Sequence, residues 1–467
     1  MSNSARIVKK IIIQENIVTL SPLRIATGQN DGKIDTLVLK NKQGQAYIPG
    51  TSLAGVLRSE LSDIYSEELM DKFFGSTAHN GCNQSMLNIS DIILKESQII
   101  GRDGVAIDAL TCVGKDGAKY DYEAVERGCE GRLKIEVTVR EFNRLQNDDE
   151  RYFAHDGFDD IYFDICATIA DLLNNGFNVG SLTTKGFGQI KSKKAADVYV
   201  FDFAEAKAAD NWLEYLQSGS LKAASVYTAM KNKFAKAADD LYLQVACQLH
   251  SSMLIKSDEM EEEDIKKKVS AVQMKSKDDY VIPGTTIKGV LKNRGLNILL
   301  ILSNNNELAA QRFLDRLMGF SNKNNSYKSR FSVNEVYISP EDMNAKIHGR
   351  NRIDRFTGST IESALFFEKP VWQKHKEMPV VSLSLRIKKC SVEEAGLIML
   401  LLKDLWAGNI FIGSGKSVGR GILLGRYCEI DYHNEHFVID ETDKFSVKGN
   451  KDKLESYVQA LVGEFNG

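Results

Sequence analysis

Apolar and polar residues alternate along 133–139, where Leu133, Ile135, Val137 and Val139 share one face, and again along 380–387; this period of two marks half-buried strands. The runs Ile11-Ile-Ile13 and Ile17-Val-Thr-Leu20 predict a strand pair or one long bent strand, and Leu241-Tyr-Leu-Gln-Val-Ala246 predicts its equivalent further along. After each of two Pro-Gly turns the period becomes helical. Leu53, Val56, Leu57, Leu61 and Ile64 fall on one face of a helix starting near Thr51, and Ile287, Val290 and Leu291 do so in a helix starting near Thr285. Further helices are predicted over 161–174 and 392–406, each ending in Asn or Gly and leading into a glycine-rich stretch. Residues 201–234, rich in Ala and Lys at helical spacing, predict a helix pair.

The same order of elements occurs twice. Tyr47-Ile-Pro-Gly-Thr-Ser-Leu-Ala-Gly-Val-Leu57 returns as Val281-Ile-Pro-Gly-Thr-Thr-Ile-Lys-Gly-Val-Leu291, an offset of 234. Val179-Gly-Ser-Leu-Thr-Thr-Lys-Gly-Phe-Gly188 returns as Ile412-Gly-Ser-Gly-Lys-Ser-Val-Gly-Arg-Gly421 at 233, and Ile107-Asp-Ala-Leu-Thr111 as Ile353-Asp-Arg-Phe-Thr357 at 246. The stretches beginning at Leu69 and Ser85 are answered at an offset of 244, the extra residues being supplied around Ser303-Asn-Asn-Asn-Glu307. A period this long is a duplicated domain, not a solenoid repeat. Each half reads as an α+β, ferredoxin-like unit with a β-α-β … β-α-β order. The expected organisation is a first domain over 1–196, a helical linker or appendage over 197–240 and a second domain over 241–467.

Composition narrows the class. With 43% hydrophobic residues in 467, the chain buries a core and is no disordered polymer. It shows neither an apolar run of about 20 residues nor a signal-peptide layout, so a soluble, cytoplasmic protein without a membrane partner is expected. Seven scattered cysteines without a CxxC fit reduced intracellular thiols. The balance of 60 Lys+Arg against 63 Asp+Glu argues against non-specific coating of nucleic acid and leaves room for a local basic groove.

The glycine-rich block around Gly413 imitates a nucleotide P-loop, but Ile410 stands where that motif needs Gly, and the block runs from a helix into a strand. It reads better as a loop admitting an extended polyanion, through Gly413, Ser414, Gly415, Lys416, Ser417 and Arg420. Its counterpart offers Gly180, Ser181, Thr183, Thr184 and Lys185. The two Pro-Gly helix starts put Thr51, Ser52 and Thr285, Thr286 at helix N-termini suited to phosphate, with Arg58, Lys288 and Lys292 within two turns. Chemistry requires an acid. Asp35 lies in a polar loop before Pro49, suited to meeting an RNA phosphodiester or a divalent ion. The equivalent place in the second copy is Val269, with an acidic run ending at Asp264 nearby. His79 and Cys82, with Cys112 and Cys129, offer an incomplete zinc pattern, and no hydrolase nucleophile motif is present.

Taken together, the Ile-Pro-Gly-Thr-[Ser/Thr] strings, the Ile-Asp-x-[Leu/Phe]-Thr blocks and the terminal glycine-rich loops resemble the RAMP superfamily of CRISPR-associated proteins, specifically backbone subunits of type III effector complexes. Ala54 departs from the family string, whereas Lys288 keeps it. The resemblance implies two fused RRM-like domains, each with a thumb hairpin, over about 107–130 (Ile107, Asp108, Leu110, Thr111) and 353–368 (Ile353, Asp354, Phe356, Thr357). It implies as partners a guide RNA, a complementary target RNA, neighbouring backbone subunits, a small subunit and a large polymerase/cyclase subunit. It further implies cleavage of target RNA at Asp35 with Mg²⁺ or Mn²⁺, and at the second domain only if Asp264 takes the place of Val269. A non-catalytic backbone protein and a precursor-processing endonuclease remain as alternatives.

Overall fold

A computed structural model describes residues 6–28, 34–77, 84–108, 114–141, 161–221, 224–228, 237–257, 260–321, 326–376, 378–442 and 444–466. The chain divides into two compact units. The first holds Met1–Asp103, Asp121–Thr183 and Phe187–Ala235; the second holds Gly104–Tyr120, Thr184–Gly186 and Lys236–Gly467.

In the first unit the two β-branched runs form one strand, Ile7–Thr19. It is flanked antiparallel by Glu130–Arg140 on one side and by Gln189–Ser192 and Asp197–Asp202 on the other, and Leu87–Ile89 pairs with the far edge of Glu130–Arg140. With α1 (Gly50–Leu61) and α3 (Ile161–Asn175) in the two crossovers, this is the four-strand order 4-1-3-2 of a ferredoxin-like sheet. A further helix, α2 (Glu67–Phe74), follows α1. The register sets Ile11 opposite Val137 and Ile13 opposite Ile135. All four are buried, under Leu53, Leu57 and Leu61 of α1 and Ile165, Ile169 and Leu173 of α3. Each such side chain contributes about 1.5–3 kcal/mol by leaving water.

Ile12 points to the opposite face, where Phe201 and α4 (Ala208–Ser218) make a satellite core through Tyr215. Where the composition predicts two helices, the described residues of 201–234 contain one. Gly219 in the left-handed region ends α4, and the β-prone Ser225–Thr228 pairs with Asp197–Asp202, whose edge is open to it.

The second unit repeats the plan. Leu241–Leu249 lies between Val381–Ile387 and Leu423–Tyr432, with Phe331–Asn334 beyond Val381–Ile387. Residues Lys185–Gly186 extend this sheet by parallel pairing with Val333 and Asn334. A short α5 (Glu262–Lys266) precedes α6 (Gly284–Leu302) and α7 (Glu307–Met318); α8 (Val392–Trp406) begins at a capping box between Ser391 and Glu394, and α9 (Lys451–Asn466) packs on α8. Among the described residues no helix is long and apolar enough to cross a membrane.

Candidate nucleic-acid interface

Both glycine-rich loops are closed by the same backbone bonds. In the first unit Val179 N–H donates to Gly188 O at 2.8 Å, Gly188 N–H to Pro22 O at 2.7 Å, and Ser181 N–H to Arg24 O at 2.8 Å. In the second, Ile412 N–H donates to Gly421 O at 2.9 Å, Gly421 N–H to Ser252 O at 2.7 Å, and Ser414 N–H to Leu254 O at 2.8 Å. The Ser181 and Ser414 hydroxyls are spent on the same carbonyls, at 3.1 and 3.0 Å. Gly188 and Gly421 have φ +77° and +78°, and a Cβ on either would lie 1.9 Å from the carbonyl oxygen of Val179 or Ile412. These glycines are therefore required by the closure itself, before any ligand is considered. Gly180 is exposed and Thr183, Thr184 and Lys185 are half-buried, as are Gly413 and Gly415; Lys416 and Ser417 are exposed, with the Lys416 ammonium 5.5 Å from the Phe411 ring centroid.

Arg420 does not share that exposure. It is 6% exposed, and its Nη1 donates to Glu368 Oε2 at 2.7 Å, while Arg350 Nη1 reaches the same oxygen at 3.3 Å. Burial pushes the Glu368 carboxyl up, but the bonds and charge of Arg420 and Arg350 outweigh it and hold the group below the usual carboxylate range. At the matching place in the first unit stands Phe187, buried against Tyr122 with ring centroids 6.0 Å apart and joined by Ile100 and Ala124. The Arg24 guanidinium lies over Tyr122 at 4.7 Å. Arg24, Arg350 and Glu368 are absent from the sequence reading. Carrying the offset of 246 across the hairpin would have set Tyr122 opposite Glu368, as 233 sets Phe187 opposite Arg420.

The two Pro-Gly helix starts differ. At α1, Gly50 N–H donates to Asp91 Oδ1 at 2.9 Å, so a carboxylate already occupies the positive end of the helix. Arg58 is committed to Gly75 O at 2.9 Å and to Asp71, while Thr51 is exposed and Ser52 half-buried. At α6, Lys288 is buried, and its Nζ donates to Ser329 Oγ at 2.6 Å, Phe331 O at 2.8 Å and Thr184 Oγ1 at 3.1 Å. Burial first, then the charges of Lys185 and Lys292, push its ammonium down to about 7. Half-buried Thr285, Thr286 and Lys292 complete a cluster in which Thr184, Lys185 and the α6 start stand together.

Of the first thumb block, Ile107 is exposed and Asp108 lies 3.9 Å from the Lys115 ammonium, on a hairpin of Ile99–Ile107 and Gly114–Val125; Leu110 and Thr111 lie outside the described residues. In the second, Asp354 Oδ1 accepts the backbone N–H of Thr357 at 2.8 Å and of Phe356 at 2.9 Å, bonds that hold its carboxyl below the usual range. The Thr357 hydroxyl donates to the same oxygen at 3.2 Å. This Asp-stabilised turn leaves Ile353 exposed and Phe356 88% exposed beside Arg352 and Arg355, with the Arg355 guanidinium 5.6 Å from the Phe356 ring. Those arginines also escaped the sequence reading, although their spacing is visible in it.

Asp35 is exposed and fixed beside the first thumb's returning strand. Its N–H donates to Asp121 O at 3.0 Å, and its Oδ2 accepts the Asp121 N–H at 2.9 Å. Asp264, on α5, is 3% exposed, and both its oxygens accept from Lys369 Nζ at 2.9 Å. Val269 is buried at the start of Val269–Gln273. Among the described residues no group of three His, Cys, Asp or Glu side chains is placed to hold a metal ion. Asp35, with one oxygen already bonded, offers a divalent ion at most a single ligand. Of the possible zinc ligands, His79, Cys82 and Cys112 lie outside the described residues, and the Cys129 thiol donates to Glu126 O at 3.2 Å.

The family model of the RAMP superfamily matches residues 16–191 and again 246–423. The chain belongs to the RAMP superfamily, as two tandem domains, and with it to the CRISPR-associated RNA-binding subunits. No curated protein matches it.

Proposed function

We propose that this RAMP-superfamily chain is a guide-RNA-binding backbone subunit of a type III CRISPR effector complex, and that its first domain cuts the target RNA. The observation that carries the cutting role is the contrast at the acids. Asp35 is exposed and pinned by two bonds to Asp121 at the root of the first thumb, whereas Asp264 is buried against Lys369. RNA would lie along the exposed Lys416 and Ser417 and the α6 cluster, with Phe356 stacking on a base and Arg352 and Arg355 meeting phosphates. Such a surface reads backbone and shape, and guide pairing supplies sequence.

In the cutting step the first thumb holds a splayed target nucleotide so that its 2′-oxygen lines up with the phosphorus and the leaving 5′-oxygen. Asp35 takes the 2′-hydroxyl proton, the 2′-oxygen bonds to phosphorus as the bond to the 5′-oxygen breaks, solvent water protonates the departing 5′-oxygen, and a 2′,3′-cyclic phosphate results. The test is cleavage of a guide-complementary RNA by the complete complex carrying Asp35→Ala. Cleavage is expected to be lost with target binding retained; normal cleavage overturns the role and leaves a non-catalytic backbone subunit.

A further inference from the structure

Arg420 has the composition of a phosphate ligand and the burial of a core residue. It immediately precedes Gly421, whose N–H and C=O are both tied into the loop closure, so its Cα has little freedom. Its guanidinium ends on Glu368, in the strand Phe366–Lys369 that forms the returning limb of the thumb, and Glu368 in turn receives Arg350 from the strand His348–Arg350 that leaves for the thumb. A phosphate drawing Arg420 away would leave a buried carboxylate facing Arg350 alone, an exchange that costs the fold more than a surface lysine would. At the matching two places the first unit has Phe187 and Tyr122, neither of them a guanidinium or a carboxylate. The duplication has kept the joint and changed its chemistry.

We propose that in each domain a buried two-residue clasp, Phe187 with Tyr122 and Arg420 with Glu368, couples the glycine-rich loop to the root of the thumb, and that Arg420 is a positioning residue for the thumb and not an RNA ligand. Displacing either loop then displaces its thumb. The proposal concerns the chain without RNA and stands or falls apart from the cutting role of Asp35.

Hydrogen exchange on the full-length chain reads it directly. Arg420→Ala and Glu368→Ala are each expected to speed exchange in 346–369 by about tenfold or more while the strand Leu241–Leu249 keeps its protection. The double variant Arg420→Phe, Glu368→Tyr, which installs the first unit's pair, is expected to return exchange in 346–369 to within about threefold of the parent. Unchanged thumb exchange in Arg420→Ala, or a double variant as loose as the singles, overturns the clasp. If the single changes loosen Leu241–Leu249 as well, Phe187→Leu decides: it must loosen 99–125 and spare Ile7–Thr19, and failure to do so overturns the proposal. Guide-RNA retention separates the two roles of Arg420. Retention by the double variant equal to the parent is expected, and a loss equal to that of Arg420→Ala makes Arg420 an RNA ligand.

Discussion

The first domain seats Phe187 on Tyr122, Ile100 and Ala124 where the second seats Arg420 on Glu368 and Arg350; the backbone bonds around the two places are the same to within about a tenth of an ångström. The acids diverge likewise, Asp35 standing exposed while Asp264 is consumed by Lys369. Duplication has therefore preserved what a side chain cannot provide, the loop closure through Gly188 and Gly421, and released the side chains around it. Short motifs kept in two copies are evidence of shared architecture first. Shared chemistry has to be argued residue by residue.

The acids allow the sharpest break. Asp35→Ala is expected to slow single-turnover target cleavage by about 10²–10⁴-fold, and Asp264→Ala by less than about twofold; equal losses would make the two domains catalytically alike. The glycines come next. Gly188→Ala and Gly421→Ala each push a Cβ into a carbonyl and are expected to cost about 3 kcal/mol or more in urea unfolding, in equal measure if the closures are equivalent. Asp264→Ala, harmless to cleavage, is expected to cost about 1–2 kcal/mol because it leaves Lys369 half-buried without its main partner.

Acid gives the smallest effect and the cleanest contrast. The folded Glu368 carboxyl lies below its ordinary value, so its contribution is fully present above about pH 4.3 and is lost as pH falls through the lower folded value. Exchange in 346–369 should rise below that pH while 99–125 holds, since the first clasp contains no carboxylate. Parallel loosening of both thumbs would mean that the clasps do not control them.

Much of this was legible in the sequence. The alternation at 133–139 and 380–387 gave central strands, the spacing of Leu53, Leu57 and Leu61 gave α1, and the repeated blocks gave the tandem fold. What stayed hidden are partners distant along the chain. Arg420 finds Glu368 52 residues away and Gly50 finds Asp91 41 residues away, and no local pattern announces that a cation in a glycine-rich loop faces inward. Within 201–234 the described residues show one helix and a strand, Ser225–Thr228, which an open sheet edge at Asp197–Asp202 recruited against the helical composition around it.

Under the proposed function, buried Lys288 at the start of α6 would tie RNA binding there to a proton. In the free chain burial, then Lys185 and Lys292, push its ammonium down to about 7, while Ser329, Phe331 and Thr184 accept its hydrogen bonds. A phosphate arriving at the cluster favours the charged form, so binding there draws a proton from the buffer and weakens as pH rises above 7. Acidity thus becomes a handle on assembly that salt alone would not reveal.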